Sequence, residues 1–220
     1  MKKLWLMVFT LTLVFNLAQA GGTVQAQAAG GGKKEAACWS TQKVQLRSEM
    51  QQVWIDHTIW THNYIVSALY NNPDQKEVLA RLLRNQEDIG NVFKPYYGEA
   101  NGNKLAGLLK EHIQIAGQIV AAAQKGNAAD VQKLQADWHR NADEIARFLS
   151  GLNPNWSSKG VQDMLYEHLQ LVTDIVLDIL KGDYAASIAA TDKNEVHMIH
   201  FADLLTEGIV KQFPEKFQRK

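Results

Sequence analysis

Glu111-His112-Ile113-Gln114-Ile115-Ala116-Gly117-Gln118-Ile119-Val120 and Glu167-His168-Leu169-Gln170-Leu171-Val172-Thr173-Asp174-Ile175-Val176 are one stretch written twice. In both copies apolar residues recur at steps of three and four, the spacing of one face of an α-helix. The same offset, about 56 residues, carries Lys125-Gly126-Asn127 onto Lys181-Gly182-Asp183. Each triplet offers a glycine to end one helix and an Asn or Asp to cap the next. A second match joins Arg84-Asn85-Gln86-Glu87-Asp88-Ile89 to Arg140-Asn141-Ala142-Asp143-Glu144-Ile145. Asp56-His57 then falls opposite Glu111-His112, with a slip of about one residue. The expected fold is an all-α, up-and-down six-helix bundle built from three pseudo-repeated helical hairpins.

The predicted helices span residues 42–71, 74–95, 103–125, 128–151, 158–181 and 184–212. Asn72-Pro73 reads as a cap followed by a proline suited to a first helical turn. Pro95-Tyr96-Tyr97-Gly98 and Asn153-Pro154-Asn155-Trp156 read as breaks between hairpins. Alternating β-branched runs of the kind that make strands are missing.

The first 20 residues differ from the rest. Lys2 and Lys3 precede an apolar run from Leu4 to Leu17, and Ala18-Gln19-Ala20 follows as a small-x-small cleavage signal. This pattern predicts a secretory signal peptide over 1–20, with an alternative cleavage near residue 28 after Ala26-Gln27-Ala28. An uncleaved anchor is the competing reading of the run. Residues 21–41 are expected to be a flexible Gly- and Ala-rich linker, and 42–217 the helical domain. No later segment approaches membrane-spanning length, so no transmembrane segment is expected after cleavage, and the protein is expected to be secreted or envelope-associated. Cys38 is the one cysteine, which excludes an internal disulfide. Ala36-Ala37-Cys38 is similar to a lipoprotein cleavage site, but Glu35 stands where that signal wants an apolar residue. Lys and Arg total 23 and so do Asp and Glu. That balance gives no basic surface for nucleic acid.

The chemistry sits on the helical stripes. His57, His112 and His168 occupy inward positions of the first, third and fifth predicted helices. Each follows an acid (Asp56, Glu111, Glu167), which one residue's rotation of about 100° puts at the stripe's rim. Asn85 and Asn141 lie on the stripes of the second and fourth helices, with Asp88 and Glu144 at the edge. In the third copy His197 replaces the Asn and His200 the acid. His62 and His139 lie off the stripes, at the surface.

Buried polar groups must pair or cost several kcal/mol, roughly. One reading is a structural hydrogen-bond network in which each neutral histidine meets an Asn or a carboxylate. The other is a site for a transition-metal ion (Fe, Mn, Zn, Ni or Cu) or a small polar ligand. Its candidate ligands are His57, Asp88, His112, Glu144, His168, His197 and His200, supported by Asn85, Asn141, Glu111 and Glu167. No Glu-x-x-His pair of the di-iron type occurs. Trp54, Trp60, Tyr64, Trp138 and Trp156 read as core filling or the lining of a pocket. Nucleotide-binding glycine motifs and the Gly-x-Ser-x-Gly elbow are missing, so the sequence points away from an enzyme.

Trp60-Thr61-His62-Asn63-Tyr64, Arg84-Asn85-Gln86-Glu87-Asp88-Ile89-Gly90, Pro95-Tyr96-Tyr97-Gly98, Asn141-Ala142-Asp143-Glu144-Ile145 and Gln212-Phe213-Pro214 carry a family resemblance. Over residues 44–217 the chain resembles a family of exported bacterial proteins common in Bacillus- and Paenibacillus-type organisms. Its members bear labels such as glycosyltransferase or acetylglutamate kinase. The resemblance implies a helical bundle and little else. The family motif usually has Arg where this chain has His62.

Overall fold

The computed structural model describes residues 39–218. The expected signal peptide, nearly all of the linker and Cys38 lie outside the described residues. What is described is all-α: α1 (Thr41–Leu69), α2 (Gln75–Gln124), α3 (Ala128–Leu152), α4 (Ser158–Lys181), α5 (Tyr184–Gln212) and a 3-10 turn (Pro214–Phe217). Among the described residues there is no strand, and no helix is long and apolar enough to cross a membrane.

Short polar side chains start most of these helices. The side chains of Ser40, Asn127, Ser157 and Asp183 accept from the backbone N–H groups of Lys43, Asp130, Gly160 and Ala186. Each satisfies a donor that a helix start leaves free. Gly182 ends α4 in the left-handed region. At the start of α2 the expectation needs a small correction. The N-cap residue is Asp74, not Asn72, and its carboxylate accepts from the Ser67 hydroxyl at 2.6 Å instead of capping.

Five helical runs stand where six helices were expected, because the second and third expected helices join across one kinked residue. Residues 96–102, expected to form a loop, are helical on either side of Gly98, where the direction change is concentrated (φ 81°, ψ 164°). Only glycine occupies that backbone region at little cost. A single residue therefore does what a loop was expected to do. Asn101 Nδ2 donates to the Tyr97 carbonyl at 2.9 Å across the bend. The two arms of α2 then meet backbone to backbone, for a Cβ on Gly90 would lie 2.5 Å from the Gly102 carbonyl oxygen.

The helices close on themselves. α1 packs on α2, α2 on α3, α3 on α4, α4 on α5, and α5 returns to α1. The return is fastened by Arg47, whose Nε and Nη2 donate to the two Asp203 oxygens at 2.7 and 2.6 Å. Two glutamines cap neighbouring helix ends: Gln124 Nε2 donates to the Ala68 and Leu69 carbonyls, and Gln212 Nε2 to that of Leu152. The core is aliphatic and aromatic, with Trp54, Phe93, Trp156 and Phe201 at most 3 % exposed.

Candidate functional site

In the middle of this core lie three imidazoles. His57, His112 and His168 come from α1, the second arm of α2, and α4, and are 2–3 % exposed. The His57 and His168 ring centroids are 5.4 Å apart, and those of His112 and His168 are 6.4 Å apart. Trp54 meets His57 edge-on at 5.5 Å, and Trp138 lies 5.0 Å from His112.

An amide side chain from the next helix holds each imidazole by Nδ1. Asn141 Oδ1 lies 2.8 Å from His112 Nδ1, and Asn194 Oδ1 lies 2.7 Å from His168 Nδ1. Because Asn141 Nδ2 donates to the Leu108 carbonyl at 3.1 Å, its oxygen is the atom left for the histidine. His112 therefore carries its proton on Nδ1 and leaves Nε2 as a bare acceptor, buried and without a partner among the described residues. At His57 the hold is looser: Gln86 Nε2 lies 3.4 Å from Nδ1 and also donates to the Leu82 carbonyl at 2.8 Å.

A second contact recurs beside each ring. Asn85 Nδ2 donates to the Val53 carbonyl at 2.9 Å, Asn141 Nδ2 to Leu108, and His197 Nε2 to the Met164 carbonyl at 2.7 Å. Val53, Leu108 and Met164 each stand four residues before their histidine. In the third case the two tasks of Asn141 are divided between two residues one turn apart: Asn194 takes the imidazole and His197 takes the carbonyl. The sequence reading found His197 and missed Asn194, although Asn194 precedes it by three residues on the same face. It also missed Gln86, which is fully buried.

Burial strips these imidazoles of solvation and so disfavours their charged forms. It lowers His112 to about 3 and His168 to about 4, with charge repulsion from the neighbouring histidines adding to the effect. His57 is pushed well below its ordinary value by the same burial and by His168 and His112. The cluster is neutral at neutral pH.

The other expected ligands are elsewhere. Asp88 pairs with Arg81 at 3.3 Å, and Arg81 also reaches Asp56 at 3.2 Å. Glu144 is half-buried at the rim, and Glu111 is exposed. Glu167, exposed, lies 3.5 Å from His197 Nδ1, and with His200 these two line a surface groove. His62 and His139 are half-buried rather than free at the surface; His139 Nδ1 is bonded to the Gln135 carbonyl at 2.8 Å. Among the described residues no group of three or more His, Cys, Asp or Glu side chains is placed to hold a metal ion.

No family model, curated protein or solved structure matches the chain. The site is therefore read from its own geometry. Three neutral imidazoles with amide partners offer hydrogen-bond acceptors and ligand lone pairs. They offer no charged acid or base at neutral pH.

Proposed function

We propose that the chain is a non-enzymatic helical-bundle protein of the cell envelope, made of three pseudo-repeated hairpins that a histidine–amide network holds in register. The observation that carries this reading is the recurring pair of contacts: a side-chain N–H on the carbonyl four residues before each histidine, and an amide beside each Nδ1. A slip between the helices of one hairpin would strand a buried imidazole and a buried amide together. Each stranded group costs about 1–3 kcal/mol. The bend at Gly98 supplies the turn between the first two hairpins. Export is supported by Lys2, Lys3, the apolar run and Ala18-Gln19-Ala20.

The test is a double-mutant cycle followed by urea unfolding. Asn141→Leu alone is expected to cost about 1–3 kcal/mol, and His112→Leu with Asn141→Leu to recover part of it, because both polar partners are then gone. If Asn141→Leu leaves stability unchanged, the register reading fails.

A second reading, that the protein binds a transition metal, is favoured by the bare Nε2 of His112. Asn141 and Asn194 would orient the imidazoles as outer-shell partners do in metal sites. An all-imidazole set suits Zn, Ni, Cu or Fe better than Mn, which prefers oxygen. Co-purified metal, or a raised melting temperature on adding one of these ions, is the expected result. Protein that carries no metal and melts unchanged with Zn, Mn, Fe, Ni or Cu ends that reading.

A further inference from the structure

One helical turn beyond the histidines the core is incompletely filled. Thr61, Ala116 and Val172, each four residues after its histidine, line a cavity of about 150 Å³. Ile65, Val120 and Val176, a further turn along, and Trp138 of α3 complete its walls. The space exists because Thr61, Ala116 and Ala123 are small where four helices converge. Among the described residues no charged side chain and none of the three histidines lines it. Its mouth lies by Val131, Gln135 and Leu177, which are half-buried or exposed.

Water is a poor occupant of such a place. A stable internal water needs two to four polar partners, and apolar cavities of roughly 150 Å³ stay dry and admit benzene-sized molecules. Here the Thr173 hydroxyl is already spent on the Leu169 carbonyl. Thr61 Oγ1 and Trp138 Nε1 are buried and have no partner among the described residues. An unfilled void is also a standing cost to stability. The walls therefore ask for an apolar ring, and Thr61 for a neutral polar group.

We propose that this cavity is a binding site for a small uncharged aromatic molecule bearing one hydroxyl, of phenol size, with its ring against the aliphatic walls and Trp138 and its hydroxyl on Thr61. The proposal is independent of both readings above, since the histidines take no part in it.

Fluorine NMR of the purified protein with 4-fluorophenol and fluorobenzene as probes tests it. Both probes are expected to bind, 4-fluorophenol roughly fivefold more tightly, the worth of one modest hydrogen bond. Thr61→Val should bring 4-fluorophenol down to the affinity of fluorobenzene. Ala116→Leu, which fills the cavity, should abolish both signals in protein that keeps its helical circular dichroism. Should that variant fail to fold, Ala123→Leu closes the same space nearer the mouth. Absence of binding by the unaltered protein overturns the proposal, as does binding that survives either filling variant. Equal affinities for the two probes in the unaltered protein overturn the assignment of the hydroxyl to Thr61. Added zinc should change none of these signals, which keeps the outcome separate from that of the metal reading.

Discussion

A buried imidazole and a buried amide each carry a donor and an acceptor, and each can satisfy the other without a charge. Asn141 does this with both ends of one side chain, binding His112 Nδ1 and the Leu108 carbonyl. Asn194 and His197 do it with two side chains. The neutrality of the cluster has a consequence for stability. In the unfolded chain a histidine titrates near pH 6.5, roughly. In the folded chain His112 and His168 are held down to about 3 and about 4 by desolvation. Between those values the unfolded state binds protons that the native state refuses, so stability is intact above pH ~6.5 and falls as the pH drops below it. Each such proton contributes about 1.4 kcal/mol per pH unit. Urea unfolding across this range should show that slope, and His168→Leu should remove about one proton's share of it. Stability that stays flat from about pH 7 to about pH 5 would contradict the burial of the three imidazoles. The inward direction of the histidines was legible from helical spacing alone. Asn194 was passed over because His197 occupied the aligned position, and alignment says nothing of a task shared across a turn.

Helix starts and stops were legible for a different reason: a cap is a contact within a few residues of chain. Asn127, Gly182 and Asp183 perform the roles their sequence context predicts. The break near Pro95 was also visible, but its form was not. Glycine in a Pro-Tyr-Tyr-Gly string fits a loop as well as a one-residue bend. Which of them forms depends on whether two helix arms can approach, as Gly90 and Gly102 allow. Gly98→Ala should cost about 1–3 kcal/mol through the backbone alone, since nothing lies within 4 Å of the added Cβ. Gly107→Ala is the control: its Cβ also meets open space, within ordinary helix, and should be neutral or mildly stabilising. Equal stability of the two variants in urea would mean that Gly98 bears no strain that matters.

Across the whole molecule, closure of α5 onto α1 brings α1, α4 and the second arm of α2 around one centre. By itself the sequence determined the all-α class, nearly every helix boundary and the inward faces that carry His57, His112 and His168. These follow from a 3.6-residue period and from local capping, which need no knowledge of the neighbouring helix. Only the tertiary structure decided the rest. Arg81 sits close enough to claim Asp56 and Asp88, so these two acids serve ion pairs with it instead. The cavity next to Thr61 could not be read from any one helix, because it is the volume left over when side chains from several helices meet. Pairing and packing depend on register and on competing partners across the fold, and those distances are absent from a linear order of residues.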